Sequence, residues 1–154
     1  MMKFLRYGAG LLLTFCMMSQ VQAANDWIHI ASGSEHKILL NVRSVQETQH
    51  LGTTYVQAWV KATINNDLTQ DGMALGDYVM TLYRVDCNAK TYGTVSETKY
   101  KKAGRVFGQT YAPHYVEMEH VIPDTIAEFI VDTACLANEI KQGRVSPEDD
   151  TVSY

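Results

Sequence analysis

Past its N-terminal segment the chain has no apolar run long enough to cross a bilayer, which takes about 20 residues. It has no long basic run either. Lys and Arg number 13 against 17 Asp and Glu, a poor balance for a nucleic-acid partner. The one basic cluster, Lys99, Lys101, Lys102 and Arg105, is short and reads as a solvated strand end. No glycine loop of the phosphate-cradling kind is present. Ser32-Gly33-Ser34 lacks the Gly-x-Ser-x-Gly frame of a nucleophile elbow. Asp67, Asp71 and Gly72 lack the further oxygen ligands and the distal Glu of a calcium loop. Cysteine is scarce: three residues, none with another two or three positions away, which speaks against a redox motif or a zinc site. No internal repeat or low-complexity run appears.

What is there begins with a charged start, Lys3 and Arg6, followed by an apolar run from Tyr7 to Met18. Ser19-Gln20-Val21-Gln22-Ala23 then turns polar and ends on a small residue. That order is the layout of a secretory signal, expected over residues 1–23 with cleavage after Ala23. Cys16 offers a lipid anchor as a rival, but Phe15 before it is too large for a lipoprotein signal. The expected location is outside the cytoplasm, in the periplasm or on the outer cell surface.

Removing the signal leaves about 130 residues, the size of one domain. Lys3 and Arg6 leave with it, so 11 basic residues face 17 acidic ones and the mature charge is about −6. Two cysteines remain, Cys87 and Cys135. In an oxidising compartment a lone pair in one small domain is most simply a disulfide. The loop it closes is long enough for about 4 kcal/mol of stabilisation on the chain-entropy account.

The mature region is rich in Val, Thr, Tyr and Ile with turn residues at short intervals, which predicts antiparallel strands. Trp27 to Ile30 and Lys37 to Val42 read as the first two. Residues 44–52 read as a polar connection. Residues 54–64 are the clearest strand: Val56, Ala58, Val60, Ala62 and Ile64 fall on one face, and Tyr55, Gln57, Trp59, Lys61 and Thr63 on the other. After a loop over 68–77, residues 78–87 and 91–100 read as a hairpin around Asn88-Ala89-Lys90. Residues 105–111 and 115–121 read as further strands.

The last element reads as a helix. Thr125 and Glu128 have the spacing of a capping box, and Ile126, Phe129, Ile130, Thr133 and Ala137 recur at helical intervals as an inward stripe. Residues 142–154 read as a flexible acidic tail. Strands first and one late helix predict an α+β domain over residues 24–141: an antiparallel sheet with the helix on one face, joined to it by Cys87 and Cys135.

Catalytic constellations are not assembled by these residues. His114, Glu117, Glu119 and His120 tempt a metal reading. On a strand, however, His114 and His120 stand about 20 Å apart and cannot share an ion. His29, His36 and His50 are isolated. No cofactor, metal or catalytic residue is therefore expected. The aromatic content is high instead, and tyrosine suits both cross-strand pairs and contact surfaces. Trp59, with Tyr55 and Lys61 beside it on the polar face of its strand, marks a candidate contact surface.

The segments Trp27, Asn41-Val42-Arg43-Ser44-Val45, Val56-Gln57-Ala58-Trp59-Val60-Lys61, Tyr83-Arg84-Val85-Asp86-Cys87-Asn88-Ala89-Lys90-Thr91-Tyr92, Val121-Ile122-Pro123-Asp124-Thr125 and Ala134-Cys135 follow one another in that order. Together they resemble the surface-adhesin protein E family of Gram-negative bacteria, over roughly residues 27–136. Asn41 stands where the family pattern has an aspartate. The resemblance implies a sheet with a helix held by a Cys87–Cys135 bridge in a small non-enzymatic protein of the surface or periplasm. It also implies protein partners, whether host extracellular-matrix and plasma proteins or envelope proteins, and a capacity to form a homodimer. The alternative is a periplasmic structural or accessory protein with no host role.

Overall fold

A computed structural model describes residues 26–68 and 71–146. The expected signal, residues 1–23, and the end of the expected tail, 147–154, lie outside the described residues. Eight strands precede one helix: β1 (Trp27–Ser32), β2 (His36–Asn41), β3 (Gln46–His50), β4 (Thr53–Ile64), β5 (Tyr78–Asp86), β6 (Thr91–Tyr100), β7 (Val106–Tyr111), β8 (Glu119–His120) and α1 (Ile126–Lys141). They form one antiparallel sheet in the order β1-β2-β4-β5-β6-β7. Strand β3 also pairs with β4, and β8 with β6.

β4 is the spine, and the alternation of its side chains decides which face is buried. Val56, Ala58, Val60 and Ile64 are buried on one face. Ile38 and Leu40 of β2 and Val85 of β5 join them across the ladder, and α1 closes the layer with Ile130, Val131 and Ala134. Each large aliphatic side chain removed from water contributes about 1.5–3 kcal/mol before ordering costs. The Cys87–Cys135 disulfide, with Cα atoms 5.8 Å apart, joins α1 to the chain just past β5. The expected α+β architecture is therefore the observed one.

The residues read as a polar connection, 44–52, contain a strand. Val42–Ser44 form a single 3-10 turn, in which the Ser44 N–H donates to Asn41 Oδ1 (3.1 Å) and the Ser44 hydroxyl to the Asn41 carbonyl (2.7 Å). That turn sets β3 down beside β4 just beyond β2. β3 has no apolar alternation because it is an edge strand of Gln, Glu, Thr, Gln and His, largely exposed on both faces. The strand expected over 115–121 shrinks to Glu119–His120. Pro113 has no N–H for the ladder, and the backbone of 112–118 leaves the sheet to pass beside Gly93. A Cβ on Gly93 would stand 2.3 Å from the Glu117 carbonyl oxygen and 2.7 Å from Val116 Cγ1. That close approach is open only to glycine.

The helix is where expected but is turned about its axis. Its buried residues are Ile130, Val131, Ala134, Cys135 and Asn138. Ile126 and Phe129 are exposed. The bridge explains the phase: once Cys135 faces the sheet, the residues four and one before it and three after it face inward too. The capping box is also displaced. Glu128 accepts from the N–H of Asp124 (2.8 Å), one residue earlier than expected, because Asp124 adopts a left-handed conformation with φ of 61°. The Thr125 hydroxyl instead donates to the Ile122 carbonyl (2.7 Å). At its other end α1 is latched by Lys141, whose Nζ donates to the carbonyls of Arg43 (2.8 Å) and Val45 (2.7 Å).

Candidate contact surface

The sheet has two faces of different character. α1 packs on one of them. On the other, among the described residues, no second layer of strand or helix is present. Register places Tyr55, Gln57, Trp59, Lys61 and Thr63 of β4 on this open face. Their partners on β5 are Arg84 opposite Gln57, Leu82 opposite Trp59, Met80 opposite Lys61 and Tyr78 opposite Thr63. Tyr100 continues the row on β6 beside Tyr78, and Leu39 and Lys37 extend it on β2.

These side chains cover one another. The Tyr78 and Tyr100 rings stack with centroids 5.1 Å apart and planes 11° from parallel. Lys61 Nζ lies 4.1 Å from the Tyr78 ring centre, and the Arg84 guanidinium carbon 5.4 Å from that of Tyr55. Both distances suit cation–π attraction, which contributes about 0.5–1 kcal/mol at exposed sites. Trp59, Tyr55 and Lys61 are all half-buried. Tyr55 and Lys61 are engaged by those ring contacts, and part of each of the three side chains remains open to solvent.

The charge of this face runs against that of the whole chain. Lys37, Lys61 and Arg84 stand on it. Asp86, at the end of β5, turns its carboxylate onto the N–H groups of Asn88 (3.0 Å) and Ala89 (2.9 Å). Among the described residues Arg84 forms no ion pair, and its Nε has no hydrogen-bond acceptor. Thr48 Oγ1, opposite Tyr55 in the ladder, is likewise unsatisfied. Acidic side chains gather elsewhere. Glu47 points to the helix side, where Asn138 Nδ2 (2.9 Å) and the Arg144 guanidinium (3.0 Å) hold its carboxyl below the usual carboxylate range. Asp77 is buried at one end of the sheet. Lys101 Nζ (3.0 Å) and the N–H groups of Lys102 (2.8 Å) and Ala74 (2.9 Å) lower its pKa.

Sequence parity alone brings Tyr55, Trp59 and Lys61 together, and the structure adds Arg84, Tyr78 and Tyr100. Those three come from other strands, so only the strand register could have found them. The histidines stay dispersed: His29 bonds Ser32 Oγ (2.9 Å), His120 lies on β8, and His114 lies in the segment that precedes it.

The family model for surface-adhesin protein E matches residues 27–136, from the first residue of β1 to the middle of α1. The chain belongs to the surface-adhesin protein E family. The match takes in every strand and both bridged cysteines. Protein E-like character is that of an exported, cell-surface adhesin, and no helix among the described residues is long and apolar enough to cross a membrane. No curated protein and no solved structure gives a significant match.

Proposed function

We propose that this domain is exported to bind proteins through the open sheet face, with Trp59, Tyr55 and Lys61 at the centre of the contact and Arg84, Tyr78 and Tyr100 around them. One observation carries the reading. In a member of an adhesin family, one side of the sheet presents ordered aromatic and cationic side chains with, among the described residues, no strand or helix packed over them. Aromatic residues and arginine are the groups enriched in protein contact surfaces, because they offer apolar area and directional hydrogen bonds with little freedom to lose. Arg84 lacks a carboxylate, so the partner surface is expected to supply an acidic group there.

The partners on this reading are host extracellular-matrix or plasma proteins met at the cell surface. The test is capture of purified matrix and plasma proteins by the mature domain and by Trp59→Ala and Arg84→Gln variants, with surface labelling of intact cells. Binding that weakens about tenfold or more in either variant, on a domain labelled from outside, supports the reading. Binding indifferent to both variants refutes the face. A domain that stays unlabelled on intact cells is the periplasmic accessory protein of the alternative.

A further inference from the structure

A second feature lies on the helix side of the sheet, near the β6–β8 edge. Tyr83 of β5 and Tyr92 of β6 meet edge-on with ring centres 5.8 Å apart. Residues 112–118, carried past Gly93, bring Tyr115 and Glu117 to the same place, and the ends of β7 and β8 add Tyr111 and Glu119. These side chains line a cleft of about 300 Å³. It holds four phenol rings, two carboxylates and no basic side chain. Among the described residues neither Glu117 nor Glu119 forms an ion pair.

Phenol rings beside carboxylates that form no ion pair attract one class of group. A cation gains ring attraction and a counter-charge together, whereas an anion gains neither. The field is felt inside the cleft: burial raises the Tyr92 hydroxyl pKa, with Glu119 adding to the effect, and burial raises that of Tyr83, with Glu97 adding to it. Tyr111 and Tyr115 are 58% and 75% exposed, so the outer wall is open to an incoming group. The volume sits at the small end of ligand clefts and suits one side chain rather than an extended molecule.

We infer that this cleft is a binding site for a single organic cation, the guanidinium or alkylammonium group of a basic side chain, held between Tyr111 and Tyr115 with Glu117 and Glu119 as its counter-charges. The site is separate from the open face. It draws on the protein-binding reading only for the source of the cation.

The test titrates the mature domain at low ionic strength with Nα-acetyl-arginine amide, with free arginine, and with Nα-acetyl-glutamine amide as a neutral control, following the tyrosine ring signals by NMR. Saturable shifts of the Tyr83, Tyr92, Tyr111 and Tyr115 rings are expected with the arginine compounds and not with the control. Glu117→Gln with Glu119→Gln should weaken binding about three- to tenfold, as should Tyr111→Ala, an exposed position whose variant is checked for folding by circular dichroism. Preference for the capped compound assigns the cation to a protein side chain, and preference for free arginine assigns it to a small metabolite. Either upholds the site. Absence of saturation with both arginine forms, equal shifts with the neutral control, or affinity unchanged in the carboxylate variant overturns it. Trp59→Ala should leave this titration unaltered, so the cleft and the open face can fail separately.

Discussion

Neighbouring residues of β4 live in two different environments. Val60 faces α1 and is 3% exposed, while Trp59, one step away, belongs to the uncovered face. The layer beneath α1 is aliphatic at its centre and latched at several points, by the bridge, by Lys141 and by the Lys90–Asp132 ion pair. The open face is aromatic and cationic, and its order comes from cross-strand stacking rather than from a second layer. One set of strands thus separates, by side-chain parity, an aliphatic layer beneath α1 from an aromatic and cationic face that carries no second layer of strand or helix among the described residues.

The contrast is broken most severely by cutting the covered side. Cys135→Ser should lower stability by about 4 kcal/mol, since the bridge closes a 48-residue separation, and should drop the melting temperature by more than about 10 °C. A melting curve indifferent to the substitution and to reductant would show that packing alone holds α1. Next in size is Gly93→Ala, which drives a methyl group into the Glu117 carbonyl and Val116. A loss of about 1–3 kcal/mol in denaturant titration is expected, with faster proteolysis near residues 112–118. Unchanged stability would mean the segment passes Gly93 less closely.

The sharpest comparison is Val60→Ala against Trp59→Ala. The first removes two methyl groups from the aliphatic layer and should cost about 2 kcal/mol while leaving partner capture intact. The second should cost less stability and abolish most of the capture. Reversed outcomes would exchange the roles of the two faces.

The smallest effect concerns Asp77, which belongs to neither face. Its pKa is lowered in the folded state, chiefly by Lys101, so it binds a proton less readily there than in the unfolded chain. The stability it contributes is full above its unfolded pKa of about 3.9 and is lost as pH falls through the lower folded value. Acid titration of unfolding should show this loss below about pH 4, and Asp77→Asn should remove that part of the slope.

Much of the covered side was legible beforehand, because burial writes itself as period. The alternation over 54–64 announced β4, and two cysteines in a small exported domain announced the bridge. The helix phase escaped because Ile126 and Phe129 mimic an inward stripe, whereas the real face is set by where Cys135 must point. β3 escaped because an edge strand has no need of apolar residues. The open face was half legible: Tyr55, Trp59 and Lys61 follow from one strand, but Arg84, Tyr78 and Tyr100 need the register between strands. The tyrosine cleft was not legible at all, since its rings come from β5, β6, β7 and the segment before β8.

The 3-10 turn at Val42–Ser44 leaves a gap on the flank of β4 between the end of β2 and the start of β3. The Trp59 amide falls in that gap and donates to the Ser44 hydroxyl (2.9 Å), where a neighbouring strand would ordinarily offer a carbonyl. One side chain thus splices two half-length strands into a continuous border. In deuterated solvent the Trp59 amide should exchange as slowly as its ladder neighbours, and removal of a single oxygen atom, in Ser44→Ala, would open the sheet to solvent directly behind the indole.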